Sequence, residues 1–178
     1  MRKLLVLAMV LFSGAAIAAP SEEDQLFTQL HNAGSPEEAH PIEAKLDVLF
    51  KVSGSPTVDL LMTRAGTALG GANNAMARKI LDDVTEVAPH YAEGWRLRAQ
   101  LQAAAGDDAG AMVSLQKTVT LNPRQFEAMA DLADMLEQYG DKAAALKLYR
   151  QALALDPQLA AAARAEKALT KEVEGQGI

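Results

Sequence analysis

The chain has 178 residues, which gives room for one ordinary domain with a sizeable core. Aromatic residues make up only 4% and hydrophobic ones 49%, carried largely by Ala and Leu, a composition that favours helices over sheets. The formal net charge of −6 sets the surface against phosphate backbones, so nucleic acid is a poor ligand, and the lack of cysteine excludes disulfides and lipid attachment at a cysteine.

The first segment, "MRKLLVLAMVLFSGAAIAAP", has a basic start at Arg2 and Lys3, an apolar run from Leu4 to Phe12 and the small-x-small pattern Ala16, Ile17, Ala18. It reads as a secretory signal over residues 1–18, cleaved after Ala18, and predicts export across the inner membrane to the periplasm. A membrane anchor is the rival reading, but the apolar run falls short of the roughly 20 residues that cross a bilayer. No second run is long enough to span one. Cleavage removes Arg2 and Lys3 and no acidic residue, taking the formal charge from −6 to −8.

Residues 19–57 carry two apolar-periodic runs, Leu26, Phe27, Leu30 and then Ile42, Leu46, Leu49, Phe50, separated by "GSPEE". Ser35 followed by Pro36, Glu37 and Glu38 is a helix start with negative charge in its first turn. A degenerate helical hairpin is expected here, covering the leading end of the region from residue 58 onward.

That region is repetitive. Pro89, Pro123 and Pro157 each close a helix-like run and stand 34 residues apart, twice. Superposing residues 58–91, 92–125 and 126–159 aligns Leu61, Trp95 and Met129, then the small residues Ala65, Ala99 and Ala133. Further columns hold Ala77, Ala111 and Ala145, then Leu81, Leu115 and Tyr149, and then Val84, Thr118 and Ala152. Within each unit lies a breaker, "GGAN" at 70–73, "GDD" at 106–108 and "GD" at 140–141. Gly supplies the positive φ that ends a helix, and Asn73, Asp108 and Asp141 are placed to cap the next one. Proline donates no amide hydrogen and pushes its predecessor out of the helical region, so each second helix stops there.

This pattern resembles the tetratricopeptide repeat, whose unit of about 34 residues has a large apolar residue near its start, a small one four later, Gly at the turn and Pro at the end. The segments "SGSPTVDLLM", "AEGWRLRA" and "NPRQFEAMADL" are in addition similar to secreted tetratricopeptide-repeat proteins of alphaproteobacteria. The resemblance implies an all-α fold, a right-handed superhelical solenoid of helix-turn-helix units. It departs from the family where Arg64 and Arg98 replace Leu, and where Ala68 and Gln102 replace an aromatic, so packing inside those units is expected to be looser or partly polar. The two arginines are expected to lay their stems along the helix interface and pair with an acid. Trp95 is expected to fill the core between its own unit and the one before it, with a truncation cost of about 3–5 kcal/mol.

Residues 160–178 read as a capping helix and tail, with Lys167 and Thr170 on a wet outer side. No reactive constellation emerges: His31, His40 and His90 lie in different segments, and HExxH, GxSxG, P-loop and GxGxxG motifs are missing. Asp82 and Asp83 point about 100° apart on a helix, a poor acid–base pair. No cofactor and no enzymatic activity are expected.

Surface shape remains. By family geometry the inner wall of the solenoid presents Asp59, Met62 and Gly66, then Glu93, Arg96 and Gln100, then Glu127, Ala130, Asp134 and Glu137. Family members that grip a terminal carboxylate use Lys and Asn at places held here by Met62, Gly66, Arg96, Gln100, Ala130 and Asp134, so that clamp is missing. The expected ligand is a basic or amphipathic segment of another protein in the cell envelope, held in a groove of Asp59, Met62, Glu93, Arg96, Gln100, Glu127, Asp134 and Glu137. Two alternatives stay open: the charges only keep the wall solvated, or the array self-associates through its end helices.

Overall fold

Each helix of the repeats carries an apolar stripe that it cannot bury alone, and the chain solves this by stacking consecutive helices. The computed structural model describes residues 20–175; the expected signal segment 1–18, residue 19 and residues 176–178 lie outside the described residues. Among the described residues there are nine helices and no strand: α1 (Glu22–His31), α2 (Pro36–Phe50), α3 (Pro56–Gly70), α4 (Asn74–Val87), α5 (Ala92–Ala104), α6 (Asp108–Leu121), α7 (Phe126–Gln138), α8 (Lys142–Leu155) and α9 (Ala160–Val173). From α3 to α9 every helix packs on the next in the chain, which makes an all-α repeat solenoid.

The aligned alanine columns are where helices come closest. Ala65, Ala77, Ala111, Ala133 and Ala145 are wholly buried and Ala99 nearly so. Leu81 and Leu101 join α4 to α5, Leu115 and Leu132 join α6 to α7, and Tyr149 and Leu169 join α8 to α9. Two of the departures from the family pattern, those in the middle unit, are met by polar contacts: the Ser114 hydroxyl donates to Gln102 Oε1 at 2.6 Å, and Arg98 pairs with Asp82 at 2.9 Å, whereas no acid is seen paired with Arg64 among the described residues.

Trp95 departs from expectation. Its ring is half-buried rather than in the core, its indole N–H donates to the Pro89 carbonyl at 3.0 Å, and the Arg98 guanidinium lies 5.3 Å from the ring centre. The space between α4 and α5 is already filled by Leu81, Leu97 and Leu101, so the indole ties down the proline loop from the rim.

The turns inside the units also differ in detail. Gly106 and Gly140 have φ of 76° and 89°, as the turn requires, but in the first unit the left-handed residue is Ala72 at φ 55°, not a glycine. The helix caps are Asn73, Asp107 and Asp141, whose side chains accept from Met76, Gly110 and Ala144 N–H groups at 3.0 to 3.1 Å. Asp108, expected as a cap, is instead the first helical residue of α6 and accepts the Tyr139 hydroxyl at 2.6 Å.

The N-terminal hairpin forms, with Ser35 capping α2 and Pro36 in its first turn, but it does not cover the leading end of the array. It lies along the edge made by the three loops between helix pairs. Tyr91 of the first loop donates to the Lys51 carbonyl at 2.8 Å, Arg124 of the second meets Asp24 at 2.7 Å and Glu23 at 3.2 Å, and Gln158 of the third donates to the Ala33 carbonyl at 2.7 Å. Phe27 packs edge-on against Phe126 with centroids 6.3 Å apart, and the Arg124 guanidinium sits 3.9 Å from its face. Leu26, Leu30 and Leu46 share one core with Phe126, Met129 and Ala152. The apolar stripes of α1 and α2 are thus buried against α7 and α8.

An L-residue held in the left-handed region costs roughly 1–2 kcal/mol. Ala72→Gly is therefore expected to raise the unfolding free energy by about 1 kcal/mol in a denaturant titration; a loss of stability would show that the turn is not strained.

Candidate partner-binding groove

The first helices of the units, α3, α5 and α7, supply the inner wall, and the wall is divided. Its upper part is closed by α2. Glu93 is 1% exposed and Arg96 8%, and the two form a two-pronged pair, Nε to Oε2 at 2.6 Å and Nη2 to Oε1 at 2.7 Å. Arg96 also faces Asp47 of α2 and Glu127 of α7, each at 3.8 Å. Burial by itself would lower the Arg96 pKa, but the hydrogen bond to Glu93 and the charges of Glu93, Glu127 and Asp47 outweigh it and raise the pKa above the ordinary value. Gln125 adds a contact to Glu93 Oε2 at 3.4 Å. Glu93 and Arg96, expected to face a ligand, hold α5, α7 and α2 together instead, because a guanidinium at this depth needs every acid within reach.

Two more expected groove residues take structural posts. Asp59 is exposed, but its Oδ1 accepts the Ser53 amide and hydroxyl and so orders the approach to α3. Met62 is half-buried against the core of Ala65, Ala77, Leu81 and Leu101.

The lower wall stays open. Gln100 and Asp134 line a depression of about 410 Å³ between α5 and α7, floored by Ala99, Ala103, Leu115 and Met135 and flanked by Asp131. Glu127 stands half-exposed one turn away. Asp131 is not among the residues that the sequence pattern singles out. Burial, then the neighbouring charges of Glu127 and Asp134, push its carboxyl up to about 6. A signal is present in the sequence all the same, since Glu127, Asp131 and Asp134 recur at helical spacing and share one face of α7. The Tyr149 hydroxyl reaches up from α8 to Asp134 and to Glu137, the latter at 3.1 Å, and fixes both carboxylates. Burial first, then the Asp134 hydrogen bond, drives the Tyr149 pKa far above normal, so the hydroxyl stays a donor.

The arrangement offers a shallow apolar floor with a negative rim. Its lining brings together no nucleophile and base. Among the described residues no group of three His, Asp or Glu is placed to hold a metal, and no helix is long and apolar enough to cross a membrane. His40 and His90 are exposed at separate places, and His31 Nδ1 lies 3.3 Å from the Ala154 carbonyl.

No family profile matches the chain. A TPR repeat-containing protein of Rhizobium etli is 32% identical over 143 residues, which cover 80% of this chain and 70% of that protein. The chain belongs to the tetratricopeptide-repeat family. Solved tetratricopeptide folds agree: the crystal structure of MamA protein superposes with a TM-score of 0.60 at 20% identity over 66% of this chain and 64% of that one, less than two thirds of its length. The first tetratricopeptide domain of Spaghetti (RPAP3), bound to an HSP90 peptide, superposes with a TM-score of 0.59 at 15% identity over 66% of this chain and 93% of that one. Tetratricopeptide arrays are generally protein-interaction modules, which gives the divided wall of this member its context.

Removing one partner of a buried ion pair strands the other charge, at about 3–5 kcal/mol. Arg96→Met is expected to lose that much in denaturant unfolding, while the double change Glu93→Leu with Arg96→Met recovers most of it. Equal losses in the single and double variants would show that the burial of Glu93 does not depend on Arg96.

Proposed function

We propose that this tetratricopeptide protein is a non-enzymatic adaptor of the bacterial cell envelope that holds a basic or amphipathic segment of a partner protein on its inner wall. The reading is carried by the open depression between α5 and α7, where the small side chains Ala99 and Ala103 leave room and Asp131, Asp134 and Gln100 rim the floor. A related array that binds a peptide, that of Spaghetti, supports the general mode; the leader-like sequence of residues 1–18 supports export and a periplasmic place of work. Of the groove residues expected from sequence, Gln100, Glu127, Asp134 and Glu137 are the ones left to meet a ligand. Cationic side chains of the partner would meet Asp134, Glu127 and Glu137, while its apolar side would rest on Leu115 and Met135.

A second reading, self-association of the array into a structural assembly, draws on another surface. The groove between α8 and α9, about 450 Å³ and lined by Leu146, Ala154 and Val173 with Lys147 and Arg150, is open at the trailing end. Light scattering across a concentration series separates the two, since mass that grows with concentration belongs to the second.

Asp134 and Glu137 also receive the buried Tyr149 hydroxyl, so reversing their charge would cost about 1–3 kcal/mol of stability. Gln100→Lys, at an exposed position on the rim of the depression, is the cleaner change. Titration of a synthetic Lys- and Leu-containing amphipathic peptide by calorimetry should give salt-dependent binding that this variant weakens by about tenfold or more, as 1.4 kcal/mol of lost attraction would do. Equal affinity for the wild type and the variant would retire the groove. Because Asp131 ionises at about 6, binding is also expected to strengthen as pH rises through that value in the wild type and to stay flat there in Asp131→Asn.

A further inference from the structure

Among the described residues no second helix follows α9, yet α9 keeps the register of the repeat. It packs on α8 as α7 packs on α6 and α5 on α4. Ala162 and Leu169 share a core with Leu146 and Tyr149 of α8, just as Ala128 and Met135, one period earlier, share a core with Leu115 of α6. The same count puts Ala161, Arg164, Ala168 and Lys171, all exposed, at the inner-wall places that Glu127, Ala130, Asp134 and Glu137 hold on α7. The inner wall therefore continues onto α9.

Its charge reverses at that step. α7 holds four acids, Glu127, Asp131, Asp134 and Glu137, and no basic residue. On α9 and its C-cap the acids are taken up by α8: Glu166 and Glu174 pair with Arg150, and Glu172 pairs with Lys142. Arg164, Lys167 and Lys171 have no ion-pair partner among the described residues, so the charge that α9 leaves uncompensated is positive. Successive first helices stand at least about one helix diameter apart, roughly 10 Å. An extended chain crosses that distance in about three residues.

We propose that the partner segment is itself two-signed: a basic stretch lies over the depression between α5 and α7, and about three residues further on an acidic stretch lies over Arg164 and Lys171 of α9. The proposal rests on the groove reading and adds the order of charges to it. A uniformly basic segment is drawn to α7 but repelled at α9, so the trailing end of the wall selects against it. A second copy of the chain is the rival occupant, since a two-signed wall can complement itself. The depression argues against it, because its floor of Ala99, Ala103 and Leu115 is recessed and the equally recessed wall of another copy would bridge over it.

Two synthetic peptides of equal length and equal Leu content provide the test, one with a Lys stretch beside a Glu stretch and one with Lys at every charged place. Calorimetric titration at about 0.15 M salt screens the pull of the overall negative charge beyond about 8 Å. The wild type is expected to favour the two-signed peptide. Arg164→Glu with Lys171→Glu should shift the ratio of the two affinities toward the all-Lys peptide by about tenfold or more. Lys79→Glu with Lys117→Glu makes the same change of net charge at exposed places on α4 and α6, and should leave the ratio where it was. A wild type that prefers the all-Lys peptide, or a ratio that the α9 variant leaves unmoved or the control variant moves as far, overturns the two-signed wall while the groove stands. Failure of both peptides to bind removes the groove and this proposal together. Mass that grows with concentration in the wild type, and not in the α9 variant, would give the wall to a second copy and overturn the proposal as well.

Discussion

A pair of short helices with one apolar stripe each has too little surface to bury by itself, and this shortage governs the molecule. The remedy is to lean each pair on the next at a fixed interval, which requires a tight turn inside each pair and a firm stop after it. Alanines set the distance at Ala65, Ala99 and Ala133 on the first helices and at Ala77, Ala111 and Ala145 on the second. Because the interval is constant, the three loops that carry Pro89, Pro123 and Pro157 come to lie along one edge. That edge is a ladder of polar side chains, those of Tyr91, Arg124 and Gln158, and it is what the N-terminal hairpin grips.

The hairpin changes what a repeat array of this size can do. A free inner wall would run the whole length of the solenoid; here α2 takes part of it and turns Glu93 and Arg96 from display into fastening. The wall that is left open is acidic and partly desolvated, so its charge is set by the environment of Asp131 as well as by residue counts. Most of the ion pairs at the surface, such as those of Arg150 with Glu166 and Glu174, contribute little individually, whereas the enclosed Arg96, which faces Asp47 of α2 and Glu127 of α7, and the Phe27–Phe126 contact link elements far apart in sequence.

The repeat is legible because it is written redundantly. Spacing, alanine columns, breakers and prolines all report the same period, Asn73 and Asp141 sit where that period puts them, and Ser35 caps α2 as the Pro36, Glu37 and Glu38 after it announce. Local exceptions are harder to see. "GGAN" offers two glycines, yet the turn falls on Ala72, the residue one period before Gly106, and the same count selects Asp107 over Asp108. Trp95 misleads for a different reason, since its size and column suggest a core plug while the leucines around it already close the gap. The hairpin's place cannot be read at all. Its two runs announce helices, but which surface they cover depends on Arg124, Tyr91 and Gln158 reaching from three loops to a segment far away in the chain. Once α2 is set down there, the burial of Arg96 and the standing of Asp131 result from geometry that no single stretch of sequence encodes.

Both the divided wall and the fastening of Arg96 require the hairpin to rest on the loop edge of the array, with the Phe27 ring edge-on to Phe126. With only four phenylalanines in the chain, nuclear Overhauser contacts between their ring protons can be assigned without ambiguity. We expect direct cross-peaks between Phe27 and both Phe126 and Phe50. A Phe27 ring in contact with Phe50 alone, in a protein whose repeats are otherwise folded, would contradict this placement.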